Sequence, residues 1–304
     1  MTDKTGLASS AKASNPSPSD VSGLALSLGE ARRQLLNEVK LRRDIIKPIE
    51  QALRALKDPH SNAVALYEAT MLLEKPPEEL ILPDGYDSLV AELRTLADGK
   101  LSELEFTFAR DLRASFKGKG VKLEGSPSEL IADLFVIKPD LRKKQVQMNF
   151  SRQPVTGKKI KLDVDQVVSA YERARREICG RKVDPDELLA ELFEAYGRTL
   201  KLAGKQMGAR VGLVDCYREL VLVRQPLGFR KTPSKLSFVD YPKTHFAYDM
   251  LELRRRHKLS HQGHRLNLGT ATIDVGSDTT RAMFLATGAT EGQFIKDIYF
   301  TPEK

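Results

Sequence analysis

The sequence predicts an α+β chain, mainly α: an N-terminal helical bundle, then a β-hairpin, then a helical region that ends in a small antiparallel sheet. Three observations point there. Apolar residues recur at helical spacing from residue 25 to about 117. Strict alternation appears first at Val146, Met148 and Phe150. Three short strand-like segments separated by glycine-containing turns close the chain.

Residues 1–22 are rich in Ser, Ala and Pro and carry no periodicity, which predicts a disordered tail. A helical domain is expected over 23–117. Ser27 and Glu30 have capping-box spacing at its start. Two heptad seams follow: Ala25, Arg32, Val39, Ile46, Leu53 and Leu28, Leu35, Arg42, Ile49, Leu56. Eight of these ten positions are apolar, so the helix should pack along one stripe. A bundle inside the molecule is the first expectation and a coiled coil between chains the second. Pro48 should kink or split the helix. Further helices are expected from about Ser61 to before Pro76, over 84–99, and over 100–120.

Residues 118–162 read as a β-hairpin and a basic loop. Leu134–Ile137 form one strand, and Lys138, Arg142, Lys143 and Lys144 gather at the connection. Residues 163–304 read as a C-terminal α+β domain. Asp163 or Asp165, and Asp184 ahead of Pro185, are N-caps there. The segment 211–226 permits either helix or strand, and 225–242 reads as a loop. A helix over 243–258 and strands over 264–275, 280–287 and 293–300 complete the domain.

Over residues 184–300 this order of helices followed by strands resembles a winged-helix arrangement, without a diagnostic motif. The resemblance implies a recognition helix at 243–258. Its apolar stripe would be Phe246, Ala247, Met250, Leu251 and Leu253. Its outer face would carry Lys243, His245, Tyr248, Arg255 and Arg256, with Asp249 and Glu252 opposing phosphate.

Charge carries the functional expectation. The formal net charge is +8. Residues 201–265 hold fourteen Lys and Arg against five Asp and Glu, and residues 138–161 hold eight against Asp140 alone. Two dense blocks of one sign attract polyanions. The expected function is therefore a nucleic-acid-binding accessory or adaptor protein of a DNA- or RNA-handling complex, with DNA the first expectation. Phosphate contacts are assigned to Lys243, Arg254, Arg255, Arg256, Lys258 and Arg265, and to Arg142, Lys143, Lys144, Lys158 and Lys159. Partner proteins would dock on the N-terminal helices. The alternatives are a protein-interaction scaffold and a metal-dependent nuclease built around Asp133 and Lys138.

His257, His261 and His264 lie in one short stretch, but the H-E-x-x-H pattern is missing, so no metal or cofactor is expected, and a metal site at these three residues is only the alternative. No catalytic residue is assigned, since GxxxxGK[ST], GxSxG and a strand-borne GxGxxG are all missing. Two cysteines without a CxxC pair fit a reducing cytoplasm. There is no apolar run of membrane-spanning length and no signal-like N-terminus.

Overall fold

The structure, a computed structural model, describes residues 18–257, 259–276 and 278–303. The chain divides into two compact units, 1–102 and 103–304. The architecture is α+β and mainly α, with two antiparallel sheets in the second unit. Among the described residues no helix is long and apolar enough to cross a membrane.

In the first unit α1 spans Pro18–Ala55, α2 spans Ala63–Leu73, and α3 starts at Tyr86. The helix therefore starts inside the segment expected to be a tail. Proline is tolerated at a first helical position, where its missing N–H had no partner to lose. Residues 1–17 of that segment lie outside the described residues. Ser27 is consequently interior to α1 and not its cap, and Glu30 bonds Arg33 and Gln34 instead. Pro48 does not split the helix. It is buried with Ile45, Ala52 and Ala55 on the face that meets α2, and this packing offsets one lost donor. That face is not the heptad seam. Leu28, Leu35, Val39, Ile46, Ile49, Leu53 and Leu56 are all exposed, so the expected seam does not form the bundle core.

The third and fourth expected helices are one helix, α3, Tyr86–Gly118. Gly99 costs about 1 kcal/mol relative to alanine in such a position, too little to stop a helix anchored on both sides of it. Val90 and Ala97 join the core of the first unit, while Phe108, Leu112 and Phe116 join that of the second.

The expected hairpin is the centre of a larger sheet. β1 (Leu123–Ser126), β2 (Glu129–Ala132), β3 (Phe135–Asp140), β4 (Gln145–Phe150) and β5 (Gln153–Pro154) form an antiparallel meander, and β6 (Ile160–Lys161) pairs with β4. Short polar strands such as "LEGS" carry little apolar alternation, which is why β1 reads as a linker in the sequence.

α4 (Val164–Ala174) is capped by Asp163 and runs into a π-helical turn, Arg175–Cys179. α5 (Pro185–Leu202) is capped by Asp184. β7 (Val211–Gly212) precedes α6 (Leu213–Val223), so the ambiguous "LVLV" segment is helical. α7 (Leu227–Lys231) interrupts the expected loop, and α8 spans Lys243–Arg255. β8 (Ser260–His261) and β9 (His264–Thr270) follow. Residues 273–276 are a helical turn, α9 (Ile273–Gly276), where strand was expected. β10 (Met283–Ala286) and β11 (Gly292–Pro302) complete a second sheet, ordered β10-β11-β9-β8 with β7 paired to β11. One apolar core joins α3, both sheets, α4, α5, α6 and α8.

Candidate nucleic-acid interface

The basic hairpin is built from its apolar face outward. Val146, Met148 and Phe150 are buried, which sets the β3–β4 register from Phe135↔Phe150 to Asp140↔Gln145. At the connection Leu141 turns inward, and Arg142, Lys143 and Lys144 are exposed. On the other edge of β4, Gln145 pairs with Lys161 and Val146 with Ile160. The Leu162 N–H donates to the Lys144 carbonyl at 3.1 Å. The tip and the later loop therefore run side by side. Arg142, Lys143, Lys144, Lys158, Lys159 and Lys161 occupy one edge of the sheet, all exposed. Asp140 is the acid among them. The Lys143 backbone N–H, at 3.0 Å, holds its carboxyl below the usual range, with further help from the Lys143 and Lys159 charges. Lys138 is committed elsewhere, 2.5 Å from Glu129.

A second cluster lies at the C-terminus of α8. Arg254 is half-buried and lines a cleft of about 230 Å³ with the exposed Arg265 of β9 and with Asn267 and Gln293. Arg255 and Arg256 are exposed and lean on Glu252, at 3.1 and 3.8 Å. Cations in this position also suit the helix dipole. Lys243 is not with them. It sits at the opposite end of α8, where its ammonium donates to the Thr279 carbonyl at 3.2 Å. Lys258 lies outside the described residues.

The helix that would read DNA in a winged-helix arrangement is a core element here. From Lys243 to Arg254 no residue is exposed. Asp249, expected on the outer face, is 1% exposed. Its carboxylate bonds Arg181, accepts from Arg224 at 3.3 Å and accepts from the Tyr241 hydroxyl at 2.6 Å. Arg224 also bonds Glu191 at 2.7 Å and stacks 4.1 Å over the Tyr241 ring. Two arginines and two carboxylates balance in charge, so this network ties the core together, with the Arg181 Nε its one buried atom left without a hydrogen-bond partner among the described residues. Sequence reading missed it, although Asp249 lies four residues before Leu253 and three after Phe246. Both neighbours belong to the apolar stripe, and that spacing puts Asp249 at its rim.

Arg152, a further cation of the 138–161 block, is placed by its own turn. Ser151 and Arg152 both have positive φ, 50° and 59°, in the two-residue turn between β4 and β5. That conformation is costly without glycine, and packing must hold it. The buried Ser151 hydroxyl donates to the Phe284 carbonyl at 2.8 Å and accepts from the Ala286 N–H at 3.2 Å. The turn presents the Arg152 guanidinium 4.3 Å over Phe284 and 5.2 Å over Phe294. It lines a cleft of about 460 Å³ with Lys138, Asn149 and Thr290.

The three histidines do not converge on one point: His261 and His264 face each other across β8 and β9, and His257 stands apart. Gln262 and Gly263, both with positive φ, form the turn between β8 and β9. His261 and His264 pack against the Phe193 ring at 5.4 and 5.5 Å, and His257 is exposed at the end of α8. Among the described residues no group of three His, Cys, Asp or Glu is placed to hold a metal ion, so the alternative site at His257, His261 and His264 is not formed. Asp133 is held by the Tyr171 hydroxyl at 2.5 Å and by Arg175 at 3.4 Å. Compared with protein-family models, curated proteins and solved structures, the chain has no significant match.

Proposed function

We propose that the chain is a nucleic-acid-binding accessory protein that neutralises phosphates at the β3–β4 connection and beside β6, and at the C-terminus of α8. The observation that carries this reading is the convergence of Arg142, Lys143, Lys144, Lys158, Lys159 and Lys161 on one sheet edge through the β4–β6 pairing. Charges presented on an edge with no groove-reading helix suit backbone contact without base readout. The order α5, β7, α6, α8, β9, β11, with β7 and β9 flanking β11, supports the winged-helix likeness of this region. The burial of α8 turns that likeness away from groove insertion. DNA is the first candidate, and RNA is the comparison arm.

Two free thiols favour a reducing cytoplasm. Burial pushes Cys179 up to about 11 and Cys216 up to about 12. A scaffold reading has its own support in the exposed seam of α1, so protein contacts through the first unit belong to the proposal as well.

The test is binding of duplex DNA, single-stranded DNA and RNA across a salt series. The expected result is tight binding at low salt with a steep negative slope. Replacing Lys143, Lys144, Lys158 and Lys159 by Ala should flatten it. No binding at low salt to any of the three would overturn the proposal.

A further inference from the structure

The largest feature that nucleic-acid binding leaves unexplained is α1. Every residue from 22 to 44 except Leu41 is exposed, although the stretch carries Leu24, Leu28, Leu35, Leu36 and Val39. An isolated helix gains little in water, and apolar groups repeating in heptads over roughly 48 Å have a physical use only against another helix. Near the other end of the seam lies an apolar groove of about 290 Å³, lined by Leu53, Leu56, Tyr86, Leu89 and Leu93 among others.

We propose that α1 pairs antiparallel with α1 of a second copy, in a two-stranded coiled coil that also fills this groove. In heptad terms Ala25, Arg32, Val39, Ile46 and Leu53 are the a positions, and Leu28, Leu35, Arg42, Ile49 and Leu56 the d positions. A parallel pair stacks Arg32 on Arg32 and Arg42 on Arg42, two like-charge layers in the seam. The antiparallel pair leaves no layer with two arginines: it separates the two Arg32 widely and staggers the two Arg42 into adjacent layers, about 4.5 Å apart along the axis. Leu35 then meets Ile46 of the second copy, Leu28 meets Leu53, and Ala25 meets Leu56. Arg32 meets Ile49 and Val39 meets Arg42, so each arginine lays its stem along an aliphatic side chain with its head in water. The same register brings Leu24 and Leu28 of the second copy to the groove beside Leu53 and Leu56. One two-fold axis therefore covers the bare half of each helix and the groove of its partner. A foreign helix would have to reproduce this matching, which the segment already has with itself. The inference stands independently of nucleic-acid binding.

Light scattering or sedimentation of the full chain at micromolar concentration tests it. A single chain has a mass of 34.0 kDa, and twice that mass is expected. Leu35→Glu and Ile46→Glu should each return the mass to one chain while thermal unfolding stays cooperative, because both side chains are exposed in the single chain. Orientation is read by disulfide formation under mild oxidation, with the wild-type chain as control. Leu35→Cys mixed with Ile46→Cys should give the mixed dimer, and each variant alone should give little. Wild-type protein that stays at the single-chain mass overturns the proposal. Self-crosslinking of Leu35→Cys in preference to the mixed product overturns it too.

Discussion

Helices α1 and α8 both read as amphipathic, yet they end in opposite environments. In α8 the apolar stripe and its rim are swallowed by the core, and even a carboxylate is taken in because two arginines and a tyrosine are waiting for it. In α1 the stripe with the more regular repeat is bare over most of its length, and a smaller face at Ile45, Pro48, Ala52 and Ala55 does the packing. Amphipathicity says that a helix has an apolar side to cover. It does not say whether the cover is in the same chain.

The sharpest way to break this comparison is at Asp249. Asp249→Ala leaves Arg181 and Arg224 without their shared carboxylate, and a loss of about 3–5 kcal/mol is expected in denaturant unfolding. A loss under about 1 kcal/mol would mean that the network is not closed off from water. Phe246→Ala, at a fully buried position of the same helix, should cost about 3–5 kcal/mol by cavity formation. Next comes the basic edge. Removing Lys143, Lys144, Lys158 and Lys159 together should lower the duplex-DNA salt slope by about 0.9 for each phosphate no longer neutralised, with the unfolding midpoint nearly unchanged.

A smaller effect is expected from pH. Burial, with Arg181 next, holds His245 of α8 below its ordinary value, and Arg224 adds to this while Asp249 and Glu177 oppose it. The unfolded chain then takes a proton at His245 before the folded chain does. This part of the stability is complete above about pH 6.5 and is lost as pH falls through the lower folded value. Unfolding midpoints measured from pH 7 downward should fall, and His245→Gln should flatten that part of the curve. The smallest effect belongs to α1. Leu35→Ala, measured dilute enough to keep chains apart, should shift stability by no more than about 0.5 kcal/mol. A larger shift would show that the seam is already covered within one chain.

These positions also show what could be read from residue order. The caps Asp163 and Asp184, the alternation at Val146, Met148 and Phe150, and the Gln262-Gly263 turn follow from local chemistry. Each is stated by a handful of neighbouring residues, so each is legible. The division of α3 into two helices was expected because Gly99 is a local breaker, and packing on both sides of it overrode that signal. In the site, basic composition pointed to Lys143 and Lys158 separately. Nothing local says that they share an edge, because the pairing of β4 with β6 spans the intervening loop. Lys243 and Arg255 share a helix in sequence but stand at its two ends, so one patch was read where the fold has two places.

By itself the sequence determined the α+β class, the caps of α4 and α5, the Gln262-Gly263 turn and the two blocks of positive charge, because each depends on residues within a turn or two of one another. Only the tertiary structure decided which cations meet, that Asp249 is an anchor inside the core, and that the best-formed heptad seam in the chain lies bare. Those outcomes depend on contacts between residues far apart in order, and burial is a property of the assembled surface, not of any local pattern.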